Sequence, residues 1–189
     1  FNYTFDDKYI AEFNGRYDGT SRFPKDSRFV FNPSGSVAWV VSREKFFKPF
    51  ENIFSFFKLR YSYGVLGNQD VGAYEYIATM GSGKTSQIID GEQPVYVNAP
   101  GLVSGGLTWE KVSTSNLGVE MNFLNNRLTF NGDYYVRRTK DMLTTGEPLP
   151  NVLGTPVPKE NTADLKTEGW EITLGWKDRF KLGGKPFDY

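Results

Sequence analysis

Residues 128–139 read LTFNGDYYVRRT, with Leu128, Phe130, Tyr134 and Val136 at even positions and Thr129, Asn131, Asp133 and Arg137 at odd ones. Successive side chains of a β-strand point to opposite faces, so this segment carries one apolar and one wet face without any change of backbone. The same period of two recurs along most of the chain. In residues 9–17, Tyr9, Ala11, Phe13, Gly15 and Tyr17 alternate with Glu12, Asn14 and Arg16, and Asp18 extends the polar set. In 29–42, Phe29, Phe31, Val37, Trp39 and Val41 share a side, and in 58–66 Leu59, Tyr61, Tyr63 and Val65 oppose Lys58, Arg60 and Ser62. Residues 116–123 set Leu117, Val119, Met121 and Phe123 against Asn116, Glu120 and Asn122, while Trp170, Ile172, Leu174 and Trp176 oppose Glu171 and Thr173.

Segments of about ten residues with half their positions polar are long enough to cross a bilayer as barrel strands. No run of roughly 18 apolar residues interrupts the pattern, so a spanning helix is excluded. The mean hydropathy of -0.47 fits a barrel wall as well as a soluble β domain. Residues 44–57 depart from the period. There Phe46, Phe47, Phe50, Ile53, Phe54 and Phe57 recur at spacings of three and four, which predicts a short amphipathic helix limited by Pro49.

Read as antiparallel strands, the chain sorts its connections by length. Links at 6–8, 125–126 and 178–186, with the helical one at 44–57, fall at one end; those at 24–28, 68–106 and 146–161 fall at the other, and two of these are long. Compact turns on one side and extended loops on the other are a barrel habit. Tyr9, Tyr17, Trp39, Tyr61, Tyr63, Trp109, Trp170 and Trp176 lie toward strand ends, where rings with a polar tip sit well at headgroup level, and the filling of a soluble core accounts for them equally well.

Charge and chemistry exclude several functions. The 22 basic and 22 acidic residues cancel, leaving no global field for nucleic acid, and both Cys and His are absent. That removes thiolate and imidazole metal sites, Cys nucleophiles, Ser-His-Asp triads and disulfides together. We expect no enzyme, no catalytic residue, no metal and no cofactor.

Three segments then resemble a particular family: LRYSYGVLGNQDVG at 59–72, LTWEKVSTSNLGVEMNFLNNRLTFNGDYYVRRTKDML at 107–143, and NTADLKTEGWEITL at 161–174. In order and spacing they are similar to the C-terminal barrel half of the SusC/RagA-type TonB-dependent outer-membrane transporters of Bacteroidetes, and GRYDGTSRF at 15–23 extends the likeness over nearly the whole chain. Thr167, Glu168 and Gly169 stand where the family usually has Asn-Lys-Gly or Asn-Arg-Gly before the aromatic-Glu pair.

The resemblance implies an all-β fold: an antiparallel transmembrane β-barrel segment with about eight strands or strand ends of a larger barrel, long extracellular loops, and short periplasmic turns with one short helix. Residues 1–189 are then expected to be a partial barrel without plug domain or signal peptide. It also implies residence in the bacterial outer membrane, in contact with its lipid, and import of nutrients. In such transporters a SusD-like surface lipoprotein closes the barrel mouth and delivers an oligosaccharide or peptide, and the TonB complex acts through a plug. On such a wall Glu12, Asn14, Arg16, Asp18, Lys58, Arg60, Glu120, Asp133, Arg137 and Glu171 are candidates to face the lumen. Cross-strand pairing that holds register is the competing role for each of them.

Within the long 68–106 segment, Tyr74, Tyr76 and Tyr96 are candidates to stack on ligand or meet the partner lipoprotein. Asp70, Glu75, Asp90 and Glu92 match no recognised calcium loop. MGSGKT at 80–85 ends like a phosphate-binding loop but has Ala78 where such a loop needs Gly, and no credible helix follows. Two rival readings remain: a soluble β-sandwich binding carbohydrate or protein through its loops, and a nucleotide-dependent enzyme using Lys84. A sandwich requires that Phe13, Tyr17, Trp39, Tyr61, Leu117, Val119, Tyr134, Ile172 and Leu174 face a second sheet.

Overall fold

The computed structural model describes residues 1–150, 152, 154–182 and 185–188, of which 179–182 and 185–188 are described by backbone alone. Alternation becomes a seven-stranded antiparallel sheet in the order β1 (Asn2–Phe5), β2 (Tyr9–Gly19), β3 (Phe29–Val40), β4 (Phe54–Asn68), β7 (Glu110–Phe123), β8 (Leu128–Thr145), β9 (Lys159–Trp176). Two small hairpins stand apart from it, β5 (Ser82–Lys84) with β6 (Val95–Val97), and β10 (Arg179–Leu182) with β11 (Lys185–Asp188). Each strand pairs with its neighbour in the chain once β5 and β6 are set aside, so the sheet is a meander. It is open, with β1 and β9 as its edges.

Register keeps the two faces separate across all seven strands. Phe13, Val37 and Tyr61 lie on the same side as Leu117, Tyr134 and Trp170, because Val37 pairs with Tyr61, Tyr61 with Leu117, Leu117 with Tyr134 and Tyr134 with Trp170. This apolar side is bare. Phe13 is 54% exposed, Leu117 56%, Ile172 55% and Leu174 67%. A sandwich core buries such side chains almost completely. Among the described residues no second sheet lies over the apolar face, which removes the sandwich reading.

Among the described residues, buried side chains are confined to the two ends of the sheet. At the end carrying the long connections, Phe23, Val71, Leu107 and Trp109 form a small core, with Val30, Tyr76 and Leu143 packed against it. The Trp109 indole N–H donates to the Ser27 carbonyl at 2.9 Å. Segments 20–28 and 69–109 are thereby tied to the strand ends. Of the two roles open to Trp109, interfacial belt or core, it takes the second, tilted against Phe23 at 5.3 Å.

At the turn end the predicted helix at 44–57 gives way to short 3-10 segments, Val41–Arg43 and Lys45–Phe50, and Phe54 already belongs to β4. Pro49 lacks the N–H that a longer helix needs. The three-residue spacing of Phe54 and Phe57 has another origin. The register shifts between Phe54 and Phe56, and a bulge that inserts one residue puts positions three apart on one face. Their rings meet at 6.2 Å, and Phe47 packs within 5.9 Å of both.

Two further boundaries moved. β9 begins at Lys159, well before the alternation that starts at Trp170, and the 178–186 stretch read as a turn contains β10 and the first half of β11. Connections 6–8, 41–53, 124–127 and 177–178 lie at one end and 20–28, 69–109 and 146–158 at the other; the longest, 69–109, is at the second end as expected, while the 41–53 link with its 3-10 segments is longer than 20–28. In the 124–127 turn Leu124, Asn125 and Asn126 all adopt positive φ, which suits Asn and strains Leu.

Because Trp109 is 4% exposed and anchors loop to sheet, Trp109→Ala should cost about 3–5 kcal/mol of local stability. In the full-length protein, limited proteolysis within 69–106 should then accelerate while strand content by circular dichroism holds. Unchanged cleavage would show that the core does not secure the loop.

Candidate functional site

The sheet's second face collects the polar side chains. Register places Glu12, Asn14, Arg16, Asp18, Lys58, Arg60, Glu120, Asp133, Arg137 and Glu171 all on this side, together with Ser34, Ser36, Ser62, Asn116 and Thr114. A run of charges crosses its middle. Lys58 Nζ lies 3.4 Å from Glu120 Oε1, the Arg60 Nε is 3.3 Å from the same oxygen, and Arg60 Nη2 donates to both Asp133 oxygens at 2.7 and 2.8 Å. Asn116 Nδ2 adds a 2.7 Å bond to Asp133 Oδ1. Three strands are thus joined through one side chain.

Arg60 on β4 reaches Asp133 on β8 by passing over β7, and Gly118 is what lets it through. Gly118 is the residue paired with both Arg60 and Asp133, and a Cβ built there would come within 2.4 Å of Arg60 Nε. With any side chain at this position the guanidinium has to lift away. Tyr135 uses a similar gap on the same face, lying over Gly169 of β9.

Other charges pair along their own strand. Arg16 Nε donates to Asp18 Oδ2 at 2.7 Å, Asp18 also accepts from Asn32 Nδ2, and Asn14 Nδ2 donates to Glu12 at 2.7 Å. Asn32 is buried and its Oδ1 accepts the Gly67 N–H at 2.8 Å, bridging β3 to β4 beyond the end of their ladder. Arg137 and Glu171 make no ion pair among the described residues and stand with the face's free polar capacity.

Sequence reading missed Glu110 and Asn161, which fix the loop end. Glu110 is 9% exposed and accepts from Asn68 Nδ2 at 2.7 Å and from the Leu143 N–H at 2.8 Å. Asn161 accepts the Thr108 N–H and donates to the carbonyls of Thr108 and Asp141. The bonds to the Leu143 N–H and the Asp141 carbonyl satisfy backbone groups left open where the β8–β9 register shifts between Thr139 and Leu143, and those to Thr108 fix the chain as it enters β7. The WEK tripeptide at 109–111 carried the signal, since an acid beside a core Trp at a strand start needs partners once buried.

The three loop tyrosines do not converge. Tyr74 and Tyr76 are neighbours with centroids 6.4 Å apart, but Tyr76 packs on the loop-end core and its hydroxyl meets Arg28 Nη2, while Tyr74 is 54% exposed. Tyr96 lies on the β5–β6 hairpin over Gly83. The phosphate-loop likeness ends in that hairpin, because Ser82–Lys84 is a strand and its backbone N–H groups are not gathered at a helix start. Glu75 accepts from the Gly72 N–H and pairs with Lys159 at 3.5 Å.

At the turn end a carboxylate ties an aromatic row. Phe5, Tyr9 and Trp39 stack at 6.5 Å spacings, and Trp39 meets Phe46 at 6.3 Å. Glu44 Oε1 accepts the Tyr9 hydroxyl at 2.6 Å and the Trp39 indole N–H at 3.3 Å. The Tyr9 hydrogen bond above all, aided by Trp39 and Lys8, holds the Glu44 carboxyl below its usual pKa. At the opposite end of the apolar face Tyr17 stacks on Phe29 at 5.4 Å.

Open antiparallel sheet, bare apolar face, charged opposite face and sorted connections are the features of a barrel wall. The family model described as TonB dependent receptor-like, beta-barrel matches residues 1–189. The chain belongs to this family. Its TonB-dependent relatives include the receptor P3 of Formosa agariphila, 33% identical over 92% of this chain, and SusC of Bacteroides thetaiotaomicron, 31% identical over 93%. The RagAB peptide importer in its closed-closed state superposes with a TM-score of 0.79 at 28% identity over 96% of this chain. The chain spans 17 to 19% of the length of these three.

Gly118→Val should dislodge Arg60 from Asp133 and cost about 1–3 kcal/mol in this TonB-dependent receptor barrel, a loss that Asp133→Ala shares and does not add to. Additive effects of the two changes on the thermal midpoint would show that Gly118 acts otherwise. For Glu44 the sign follows from its depressed pKa: its contribution is present above the ordinary carboxylate value and vanishes as pH falls through the lowered one. The protection factors of 41–53, exchange rates taken relative to the intrinsic rate at each pH, should therefore fall on acidification below about pH 4.5, and Glu44→Gln should flatten that response.

Proposed function

We propose that this chain forms one sector of the barrel wall of an outer-membrane TonB-dependent importer. The apolar face meets lipid and the charged face meets a wetted lumen. A single observation carries the orientation: one side of a continuous sheet exposes Phe13, Leu117, Tyr134, Ile172 and Leu174, while the other displays all ten charged or amide candidates in register. In water such an apolar surface is an association hazard, whereas in hydrocarbon it is solvated. Tyr9, Trp39 and Trp176 at the turn end and Tyr17 at the loop end supply rings for the two interfaces.

The open edges β1 and β9 need partners at membrane depth, because unpaired N–H and C=O groups cannot be left in lipid. On this reading other strands of a longer barrel complete the ladder there. The short connections face the periplasm and the long ones the exterior. Family membership, with SusC and RagAB among the relatives, supports nutrient import, with an oligosaccharide or peptide as cargo. Likeness to SusC and to the RagAB peptide importer supports a SusD-like surface lipoprotein as partner at the long-loop mouth, and membership of the TonB dependent receptor-like family supports energisation through the TonB complex. Tyr74 and Tyr96, both exposed on loop 69–109, are the rings available to that mouth. Arg137 and Glu171 are the lumen charges available to cargo, since Lys58, Arg60, Glu120 and Asp133 are committed to one another.

These 189 residues contain no cysteine, so once any cysteines elsewhere in the transporter are replaced, a single introduced thiol reports the orientation directly. In the full-length transporter in outer membranes, single changes Leu117→Cys and Ile172→Cys should resist a membrane-impermeant maleimide. Arg137→Cys and Glu171→Cys should react, at least when the lumen is opened. Equal labelling of both sets would sink the lipid-facing assignment. Ile172→Arg should cost about 2–4 kcal/mol and Glu171→Arg far less. Replacing Tyr74 and Tyr96 by Ala should weaken uptake or partner affinity, and normal values for both would end their assignment.

A further inference from the structure

Toward the loop end the outward face of β7, β8 and β9 changes from apolar to cationic. Lys111, Arg138, Lys140 and Lys166 follow Leu117, Tyr134 and Trp170 on the same side, and all four are exposed. Register sets cation against cation: Lys111 pairs with Lys140, and Arg138 with Lys166. Like charges directly opposite each other destabilise a sheet. The acids on this patch are few and engaged. Glu168 pairs with Lys166, and Asp164 Oδ1 accepts the Asp141 N–H at 3.2 Å. Among the described residues Lys111, Arg138 and Lys140 have no ion-pair partner. A hollow of about 180 Å³ opens among Arg138, Lys140, Asp164, Leu165 and Lys166.

We propose that this patch binds the phosphate groups of a phosphorylated glycolipid in the membrane leaflet at the long-loop end. The inference rests on the orientation proposed above. Height supports it. Arg138 lies four positions along the strand from Tyr134, and Lys166 four from Trp170, which is about 13 Å. Tilt of a barrel strand reduces this to roughly 10 Å along the membrane normal, the depth of a headgroup above its acyl chains. The acyl chains then lie on Leu117, Tyr134 and Trp170 directly below. A phosphate seated between Arg138 and Lys166 accepts from both and removes their repulsion. A soluble polyanion finds the charge attractive but has no use for the contiguous apolar step, so the lipid is the better occupant.

The test uses the full-length transporter in mild detergent with two probes, a bis-phosphorylated glucosamine-disaccharide lipid and its dephosphorylated form, and native mass spectrometry to read retention. Wild type should hold the phosphorylated lipid at least ~10-fold better, and R138Q/K140Q/K166Q should lose it, at about fivefold per cation. R138K should retain it, and K84Q, remote from the patch, should behave as wild type. Equal retention by wild type and the triple variant, or of both lipids, overturns the proposal. Full displacement by equimolar inorganic pyrophosphate also overturns it, in favour of a free-anion site. Labelling of Trp170→Cys in membranes separates the two readings. If that cysteine reacts with an aqueous maleimide, orientation and lipid site fall together; if it is protected while the triple variant still holds lipid, the lipid site alone falls.

Discussion

The antiparallel ladder is the constraint on which everything else depends. A side chain's face is fixed by parity, and register passes that parity unchanged from β2 to β9. A slip of one residue anywhere would move Phe13 or Ile172 among the charges and Glu120 or Asp133 into the apolar field. Bulges are therefore placed where parity no longer matters. One lies at Phe54–Phe56, in the turn-end aromatic cluster, and the others lie at Thr139–Leu143, beyond the apolar stretch. Both ends are then closed by packing, with Phe47 at one and Trp109 at the other.

On the charged face, volume and electrostatics solve one problem together. A guanidinium that bonds a carboxylate two strands away needs an empty site in between, and Gly118 supplies it. The pair is half-sheltered, so it is worth more than an exposed surface pair yet escapes the full desolvation penalty of a buried one. Lys58 and Glu120 extend the run, leaving the polar face cross-linked along its middle and freer at Arg137 and Glu171. Cross-strand pairing, weighed as a rival to lumen contact, thus accounts for four of the ten candidates, and pairing along β2 engages four more, Glu12 with Asn14 and Arg16 with Asp18.

Much of this was legible in the residues because strand alternation is a local signal. Where the reading failed, two physical situations were being told by one pattern. Spacings of three among phenylalanines at 46–57 fit an amphipathic helix, but a bulge gives a strand the same spacing. Residues 161–168, NTADLKTE, show no apolar alternation because both faces of that part of β9 are wet, so hydropathy cannot mark it as strand. Trp109 looked like a belt residue by its place at a strand end, and its burial depends on Phe23 and Val71, far away in the chain. The MGSGKT likeness dissolved once Gly83 was found opposite Tyr96 in a hairpin.

The sequence alone determined the strands' two-sidedness, the sorting of connections to the two ends, the exclusion of thiol and imidazole chemistry and the family. The first three follow from composition and from a period of two, which need no knowledge of neighbours, and the family from the resemblance carried by the segments at 59–72, 107–143 and 161–174. Tertiary structure decided which polar residues meet, that Arg60 crosses Gly118 to Asp133, that Glu110 and Asn161 tie off the loop end, and that cations oppose cations on β7 to β9. Such facts depend on register between strands up to 73 residues apart, as Arg60 and Asp133 are. Hydrogen bonding in the ladder sets that register, and no local pattern contains it.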